Sequence, residues 1–404
     1  MEDLKHRRSS MVLTLRDDEG TPLKNVTVKA RETKSDFLFG CGAFDFIALA
    51  TKGEVTSESH DHPEVNMPLI EKLTSEWLEL FNYGTLPFYL GNFEPKEGQP
   101  ETESRMAAAK YLRERNITLK GHPLCWHTAW ADWLMDYDDA TVLDKALKRI
   151  DREVSAFKGV IDMWDVINEV VIMPIFNKYD NAITRLCKKY GRIRLLKEVF
   201  ECARSANPDA TLLLNDFDLT ESYDILIDGA LSAGVPIDVI GIQTHQHQGY
   251  RGDAYFEDVL ERFSFFGKPL HFTENTLTSG AIMPAHIVDL NDYHVTEWPS
   301  TPEFEERQKN EMEHFFRMLF AHPSVQAITN WEFKDGGWLK APSGMVAADG
   351  TPKPVYHMLK NLIKNEWMTN TEFVTDENGV FTLEGFKGEY ELSYNGKTEK
   401  VTLK

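Results

Sequence analysis

The middle of this chain alternates short apolar runs with longer stretches of helical periodicity. In stretches such as LLKEVFECARSA (195–206), apolar residues recur every three or four positions, which is typical of a helix with one buried face. Eight short runs precede such stretches and have the length of buried strands. These runs are DFLFGCG (36–42), FNYGTL (81–86), ITLKGH (117–122), VIDMWDVIN (160–168), TLLLND (211–216), IDVIGIQTH (237–245), KPLHFTE (268–274) and VQAITNW (325–331). Eight strands that each lead into a helix predict an α/β fold, a (β/α)8 barrel over residues 36–366.

An open, doubly wound sheet is the main rival to the barrel. Such a sheet usually carries a glycine-rich phosphate loop after its first strand. Here the segment FGCGAF (39–44) is too short for that fingerprint, and its glycines are more typical of positions that relieve crowding. Helix stops at Asn207-Pro208 and His322-Pro323 also fit a series of strand–helix units. We therefore favour the closed barrel.

The two ends of the chain have a different pattern. Residues 10–35 predict two alternating strands around an Asp-Asp-Glu-Gly-Thr-Pro turn, and residues 370–404 predict four short strands separated by Asn-Gly, Lys-Gly and Asn-Gly turns. Neither set is stable alone in water, and chain termini often lie close together. We therefore predict that 1–35 and 367–404 are the two halves of one small accessory β-sandwich.

This end pattern is similar to the prealbumin-like sandwich attached to many extracellular enzymes. Such a module either binds carbohydrate or serves as a structural clasp for the barrel. We favour the clasp, because the aromatic residues alternate as in a core instead of forming an exposed platform. They are Phe373, Phe381, Phe386, Tyr390 and Tyr394.

The net charge limits the partners of this protein. Its 44 Lys and Arg against 64 Asp and Glu give a formal charge of −20. A polyanion is repelled by such a surface, which excludes nucleic acid and an anionic membrane as main partners. Neutral ligands such as sugars, peptides and small metabolites remain open. The sequence gives no information on the oligomeric state.

The start of the chain, MEDLKHRRSSMVLTL, lacks the apolar run and the cleavage site of a secretory signal. No stretch reaches the roughly 18 apolar residues that a membrane span needs. We expect either a cytoplasmic protein or a secreted one that lacks its export signal.

Two glutamates follow apolar strands directly, at the end where barrel enzymes carry their catalytic groups. Glu169 and Glu274 are 105 positions apart, or three βα units of about 35 residues. This spacing places them on the fourth and seventh barrel strands, on opposite sides of the mouth. Paired carboxylates in such positions are what hydrolysis of a glycosidic bond requires. The sequence therefore predicts a glycoside hydrolase.

Histidines near the predicted mouth suggest a second class, a metal-dependent barrel hydrolase. The candidate ligands are His122, His127, His245, His247 and Asp216. This alternative leaves both glutamates unexplained, so we expect neither metal nor cofactor. A sugar-binding protein without catalysis is a third alternative, although the catalytic carboxylates are present. The cluster His60-Asp61-His62 is predicted to be solvated.

Several segments together resemble glycoside hydrolase family 10, the endo-β-1,4-xylanases. WDVINE (164–169) is similar to the acid/base motif of that family, and GHPLCWHTAWADWL (121–134) to its third-strand segment. ANPDATLLLNDFD, DVIGIQTHQH, HFTEN, AITNWEFKDGGWL and GTPKPVYHML resemble its later motifs in the right order. The resemblance implies retaining hydrolysis of xylan or xylo-oligosaccharides by double displacement. Glu169 would be the general acid and base, and Glu274 the nucleophile, about 5–5.5 Å away.

The resemblance also implies a set of substrate-binding residues. Asn168 would donate to the 2-hydroxyl of the sugar, and His245 would hydrogen-bond the nucleophile and keep it ionised. Three residues would line the sugar subsite at the cleavage point, and Trp338 would form a second aromatic wall. The three are His127, Gln243 and Trp331.

The second strand departs from the family pattern. The family usually has T-x-E-N-x-M-K-W before E-P, where the Asn and Lys grip the next sugar. Here Leu86 stands at the Asn position, Tyr89 at the Lys position and Leu90 at the Trp position. We therefore expect a rebuilt subsite that includes Tyr89, and a different or decorated β-glycan is the alternative substrate. A long insertion at 282–302 carries Trp298, and we expect it to form a lid, an extra subsite or a solvated loop.

Overall fold

The computed structural model describes residues 4–53 and 65–404. Strands β3 to β10 form a closed parallel barrel in chain order, in which β10 pairs with β3. The strands are β1 (Arg8–Thr14), β2 (Thr27–Ser35), β3 (Leu38–Gly42), β4 (Tyr83–Pro87), β5 (Thr118–His122), β6 (Met163–Asn168), β7 (Thr211–Asp216), β8 (Val239–Gln246), β9 (Leu270–Leu277), β10 (Val325–Asn330), β11 (Asn370–Val374), β12 (Val380–Phe386), β13 (Gly388–Tyr394) and β14 (Lys397–Leu403). The predicted barrel and its eight strands are confirmed.

Helices connect the barrel strands. They are α1 (Asp45–Ala50), α2 (Met67–Leu80), α3 (Leu90–Phe93), α4 (Thr102–Arg113), α5 (Asp139–Ala156), α6 (Ala182–Tyr190), α7 (Arg192–Ala206), α8 (Glu221–Ser232), α9 (Asp253–Ser264), α10 (Pro302–Ala321) and α11 (Pro354–Asn361). Both predicted stops are confirmed, because α7 ends before Asn207 and α10 before His322, each with extended backbone ahead of a proline. In the described ranges, every helix is too short or too polar to cross a membrane.

The glycines of the first barrel strand relieve crowding, as predicted. A Cβ atom on Gly40 would lie 2.5 Å from the ring of Tyr83, and one on Gly42 would lie 2.5 Å from the carbonyl oxygen of Trp331. Side chains at these two positions would push β3 away from its neighbours in the closed sheet. The strand therefore needs both glycines for close packing.

The two ends of the chain form one accessory β-sandwich. β1 pairs with β12, while β2 lies between β11 and β13 in a four-stranded antiparallel sheet. Each sheet thus contains strands from both ends of the sequence. The shared core contains Leu15, Val28, Ala30, Phe381, Leu383, Tyr390, Leu392, Tyr394 and Leu403. The predicted joining of the ends is confirmed.

Phe386 corrects one detail of that prediction. It belongs to the barrel core, not to the sandwich core, and its ring centroid lies 6.1 Å from that of Phe320. Arg7 strengthens the same junction, because its guanidinium donates to the carbonyls of His322 and Val325 at 2.8 and 2.7 Å. The sandwich is therefore fixed to the barrel wall by packing and by hydrogen bonds.

The insertion at 282–302 shares a small core with the loop that follows β10. Met283, Trp298 and Ala341 are buried together, and the indole nitrogen of Trp298 donates to the Ala281 carbonyl at 2.8 Å. Lys178, in the loop after β6, forms ion pairs with Asp289 and Asp292 of the insertion at 2.6 and 2.7 Å. The insertion is thus attached to the opposite loop of the barrel mouth rather than fully solvated.

Candidate active site

Strand ends place the two candidate glutamates at the same face of the barrel. β6 ends at Asn168, and Glu169 follows with a φ of 57°, in the left-handed region that a non-glycine residue rarely adopts. Its backbone N–H donates to the Asn215 carbonyl at 2.9 Å. Glu274 lies within β9, where Gln243 of β8 is its partner in the sheet register. The barrel therefore holds both carboxyl groups on its carboxyl-terminal face.

The Glu169 carboxyl accepts hydrogen bonds from two side chains. The Trp126 indole nitrogen donates to Oε2 at 2.8 Å, and the Gln243 amide donates to Oε1 at 3.4 Å. Burial, with the negative charges of Glu274 and Asp216 acting in the same direction, raises the pKa of Glu169 to about 8. At neutral pH this carboxyl is therefore protonated and able to donate its proton.

The Glu274 carboxyl has a different environment. Asn215 donates to its Oε1 at 2.8 Å, and the His245 Nε2 atom lies 3.1 Å from its Oε2. Burial alone raises the pKa of Glu274, but His122, His245 and Lys120 together outweigh burial and leave it lowered. This carboxyl is therefore ionised at neutral pH, when Glu169 still carries its proton.

A buried ionic group beneath Glu274 supplies much of this effect. Both the Lys120 ammonium and the His122 Nδ1 atom lie close to Oδ2 of Asp165, at 2.6 and 2.7 Å. The same His122 nitrogen is 3.9 Å from Glu274 Oε1. Sequence reasoning did not identify Lys120 or Asp165 as site residues. The available signal was a charged residue within each of two otherwise apolar strands.

Asn168 is held in place by its neighbours. Its side-chain oxygen accepts from Asn215 and from Gln243, each at 2.9 Å. Its buried amide nitrogen has no hydrogen-bond partner in the part of the chain that the structure describes. Since a buried donor without a partner is costly, this nitrogen marks an unmet hydrogen bond next to the acid/base candidate.

Aromatic side chains surround the two glutamates. The Trp331 ring lies 5.1 Å from that of His122, and the Trp338 ring lies 4.8 Å from that of His245. Tyr89 contacts the rings of His122 and Trp126 at 5.6 and 5.7 Å. Sugar rings stack on such surfaces through their apolar faces. The predicted residues Tyr89, Trp331 and Trp338 thus lie together at the barrel mouth.

His127 lies behind this wall. Its ring is buried, stacks edge-on against Phe176 at 4.6 Å and follows Trp126 in the chain. Burial lowers the pKa of His127 to about 4, so its imidazole is neutral at neutral pH. A neutral imidazole donates from one nitrogen and accepts at the other, which suits a sugar hydroxyl.

The candidate metal ligands are not gathered. Across 4–53 and 65–404, no group of three or more His, Cys, Asp or Glu side chains is placed to hold one ion. His122 and His245 instead contact Glu274, and Asp216 accepts from the Val171 backbone at 3.0 Å. The cluster His60-Asp61-His62 lies outside the described residues.

Two known proteins are similar to this chain in sequence. The chain is 26% identical over 281 residues to the endo-1,4-beta-xylanase/feruloyl esterase of Xylanibacter ruminicola, covering 62% of this chain and 37% of that protein. It is 27% identical over 295 residues to endo-1,4-beta-xylanase B of Thermotoga neapolitana, covering 68% of this chain and 75% of that one. The chain thus spans little more than a third of the first relative and three quarters of the second.

Solved structures share the fold. The crystal structure of xylanase 10B from Thermotoga petrophila with xylobiose superposes with a TM-score of 0.64 at 22% identity, over 82% of this chain and 95% of that one. The model of the family described as glycosyl hydrolase family 10 matches residues 90–362. The chain therefore belongs to glycosyl hydrolase family 10.

Proposed function

We propose that this protein is a retaining endo-β-1,4-glycanase of the xylanase type, which hydrolyses xylan or xylo-oligosaccharides by double displacement. One observation carries the proposal. At one barrel mouth, burial and nearby negative charge raise the pKa of Glu169 to about 8, while His122, His245 and Lys120 leave that of Glu274 lowered despite its burial. Two carboxyl groups in opposite protonation states are what this reaction needs.

In the first step, Glu169 acts as the general acid. Its proton passes to the glycosidic oxygen as that oxygen leaves, and a carboxylate oxygen of Glu274 forms a bond to the anomeric carbon. The positive groups around Glu274 keep it ionised for this attack. The product of the step is a covalent glycosyl-enzyme, together with the released sugar chain.

The second step uses the same residues in reversed roles. Once Glu274 is esterified, its negative charge no longer raises the pKa of Glu169. Glu169 is then ionised more easily and takes a proton from the attacking water. Water forms the new bond to the anomeric carbon, and the Glu274 carboxylate leaves. Two inversions retain the β configuration.

Substrate binding rests on amide groups and aromatic walls. Asn168 offers its amide nitrogen to the 2-hydroxyl, and His127, Gln243, Trp331 and Trp338 surround the sugar at the cleavage point. Relatives described as endo-1,4-beta-xylanases support xylan as the polymer. A neutral polysaccharide also meets no repulsion from a chain with a formal charge of −20.

Activity on a different or decorated β-glycan is the second candidate, by the same mechanism. The observation that favours it is the rebuilt second strand, where Leu86 is fully buried and Tyr89 packs between aromatic rings. An apolar, aromatic surface therefore replaces the amide and ammonium groups that the family pattern has there. Initial rates on unbranched xylo- and cello-oligosaccharides of equal length decide between the two.

The anomeric configuration of the first product tests the mechanism. We expect proton NMR to detect the β-anomer before mutarotation, and initial formation of the α-anomer would overturn the double displacement. A second experiment measures the turnover of an activated aryl glycoside by the Glu169→Ala variant, with and without azide. Azide should restore part of the turnover and form a β-glycosyl azide, because a small anion needs no general base.

A further inference from the structure

The insertion at 282–302, here named the strap, links the loops that follow the strands of the two glutamates. It follows β9, and its tip is paired with the loop after β6. The Lys178 ammonium lies 2.6 Å from the Asp289 carboxylate and 2.7 Å from that of Asp292. These three side chains are 37%, 33% and 62% exposed, so dissolved salt reaches the link and weakens it.

The tip of the strap is also hydrogen-bonded to an aromatic wall of the active site. The Trp338 indole nitrogen donates to the side-chain oxygen of Asn291 at 3.1 Å. The Trp338 ring lies 4.8 Å from that of His245, whose Nε2 atom is 3.1 Å from Oε2 of Glu274. One indole and one imidazole therefore separate the tip of the strap from the Glu274 carboxyl.

The base of the strap is fixed to the loop that follows β8. The backbone N–H of Met283 donates to the His247 carbonyl at 2.8 Å. The Gln248 amide donates to the carbonyls of Pro284 and Ile287 at 3.0 and 2.8 Å. The strap is thus built on the β8 side of the mouth, and side chains of two other loops hold its tip.

The strand order shows which end of the cleft the strap crosses. The barrel strands follow one another in chain order, so Glu169 follows the fourth strand and Glu274 lies on the seventh. Because the two carboxyl groups flank the bond to be cleaved, the sugar chain passes between them, from the β3–β4 side to the β7–β8 side. Tyr89 follows β4 at the first end. The strap lies over β8 and reaches the loop after β6, so it bridges the second end.

Tyr179 lies between the strap and the acid/base candidate. It follows Lys178 in the chain, and its ring packs edge-on against that of Phe176 at 4.8 Å. Burial raises the pKa of Tyr179, and the negative charges of Glu169 and Asp289 act in the same direction. Its hydroxyl is therefore within electrostatic range of both carboxyl groups, which places the tip of the strap close to the reacting end of the cleft.

We propose that the strap determines substrate length, because it admits short β-glycan chains freely and admits a long polymer only when the Lys178 link opens. The inference rests on the proposed function, since it concerns the same cleft. A short oligosaccharide enters from the open end at Tyr89 and needs no space beyond the strap. A polymer continues on both sides of the cleaved bond, so Lys178 must first separate from Asp289 and Asp292. Opening the link therefore slows hydrolysis of the polymer alone.

The test compares kcat/KM on soluble xylan with kcat/KM on unbranched xylotetraose, expressed as a polymer-to-oligosaccharide ratio. In Lys178→Ala this ratio should rise about fivefold, because two partly exposed ion pairs of modest strength are lost. The double variant Asp289→Asn/Asp292→Asn removes the same link from the strap side and should give a similar rise. Its new amide at 289 can still accept from the Asn291 backbone, as the carboxylate does at 2.8 Å. Lys178→Arg should keep the wild-type ratio.

Lys397→Ala is the matched control, because Lys397 forms an exposed ion pair with Asp18 in the accessory sandwich. Its ratio should equal that of the wild type. An increase in ionic strength from about 0.05 to about 0.5 M should raise the ratio of the wild type but not that of Lys178→Ala, since salt screens only an existing link.

A ratio that stays constant or falls in both link variants would overturn the inference alone. Equal losses on both substrates would do so as well, because they would show that the strap only positions Trp338. Failure of the wild-type protein to cleave either substrate would overturn the proposed function and this inference with it.

Discussion

The indole nitrogen of Trp126 donates a hydrogen bond to Oε2 of Glu169 at 2.8 Å. Because an indole N–H is only a donor, the oxygen it contacts must be an acceptor. The Gln243 amide donates to the other oxygen, Oε1, over a longer distance of 3.4 Å. One aromatic wall of the cleft thus also holds the acid/base carboxyl in place.

Trp126→Phe should move the alkaline limb of the rate profile upward in pH. The wild-type kcat/KM is expected to fall as pH rises through about 8, where Glu169 loses its proton. The Trp126 hydrogen bond favours the ionised form, so its removal raises the pKa of Glu169 and shifts that limb to higher pH. Profiles of kcat/KM on an unbranched oligosaccharide measure the shift. A limb that moves to lower pH would contradict this role of Trp126.

Glu274→Ala should lower kcat on the order of 10⁴-fold or more, because no group remains to form the covalent intermediate. Glu332→Gln is the matched control, since Glu332 is also a buried glutamate after the next strand. Its carboxyl is bound to Ser343 and to the Trp338 backbone, which a glutamine can also satisfy. We expect the Glu332→Gln control to retain activity within a few-fold of wild type. Appreciable turnover by Glu274→Ala, in a protein shown to be folded by its melting transition, would refute the assignment.

The stability of the fold should fall as the pH rises from about 6.5 to 8. Burial raises the pKa values of four carboxyl groups above those of an unfolded chain, so the native state keeps protons that the unfolded state releases. These are Glu32 and Asp216 at about 7, and Glu169 and Glu332 at about 8. Their effect makes stability fall as pH rises from about 4.5, near the ordinary pKa of a carboxyl group, to about 8.

Below about pH 6.5, buried histidines contribute an opposite slope that offsets part of the carboxyl effect. Burial lowers the pKa of His127 to about 4 and those of His247 and His271 to about 3, so only the unfolded chain takes up their protons below about 6.5. Melting temperatures from pH 5 to 8 measure both slopes. Glu332→Gln should flatten the alkaline slope, whereas the exposed Glu257→Gln should not. A melting temperature that rises between pH 6.5 and 8 would disagree with this account.

Sequence periodicity and spacing were sufficient for the barrel and for the joined ends, and they placed Glu169 and Glu274 at the carboxyl-terminal ends of two barrel strands. Local rules determine these features, because buried strands are apolar and barrel enzymes carry their chemistry after strands. The Lys120–Asp165–His122 group was missed because its members meet only when β5 and β6 pair. Phe386 was assigned to the wrong core because alternation along β12 does not reveal which neighbour covers the last residue.

We propose that the accessory sandwich comprises residues 1–35 and 367–404. It should contribute to the stability of the barrel. Phe381 of β12 is buried against strands from the other end of the chain, so Phe381→Ala should cost about 3–5 kcal/mol of unfolding free energy. Val12 of β1 is 68% exposed in the same pair of strands, and Val12→Ala is the matched control with little expected effect. Deletion of 370–404 should lower the melting temperature of the barrel, since Arg7 and Phe386 join the two parts. A truncated chain that unfolds no more easily than the full chain would show that the sandwich is not a clasp.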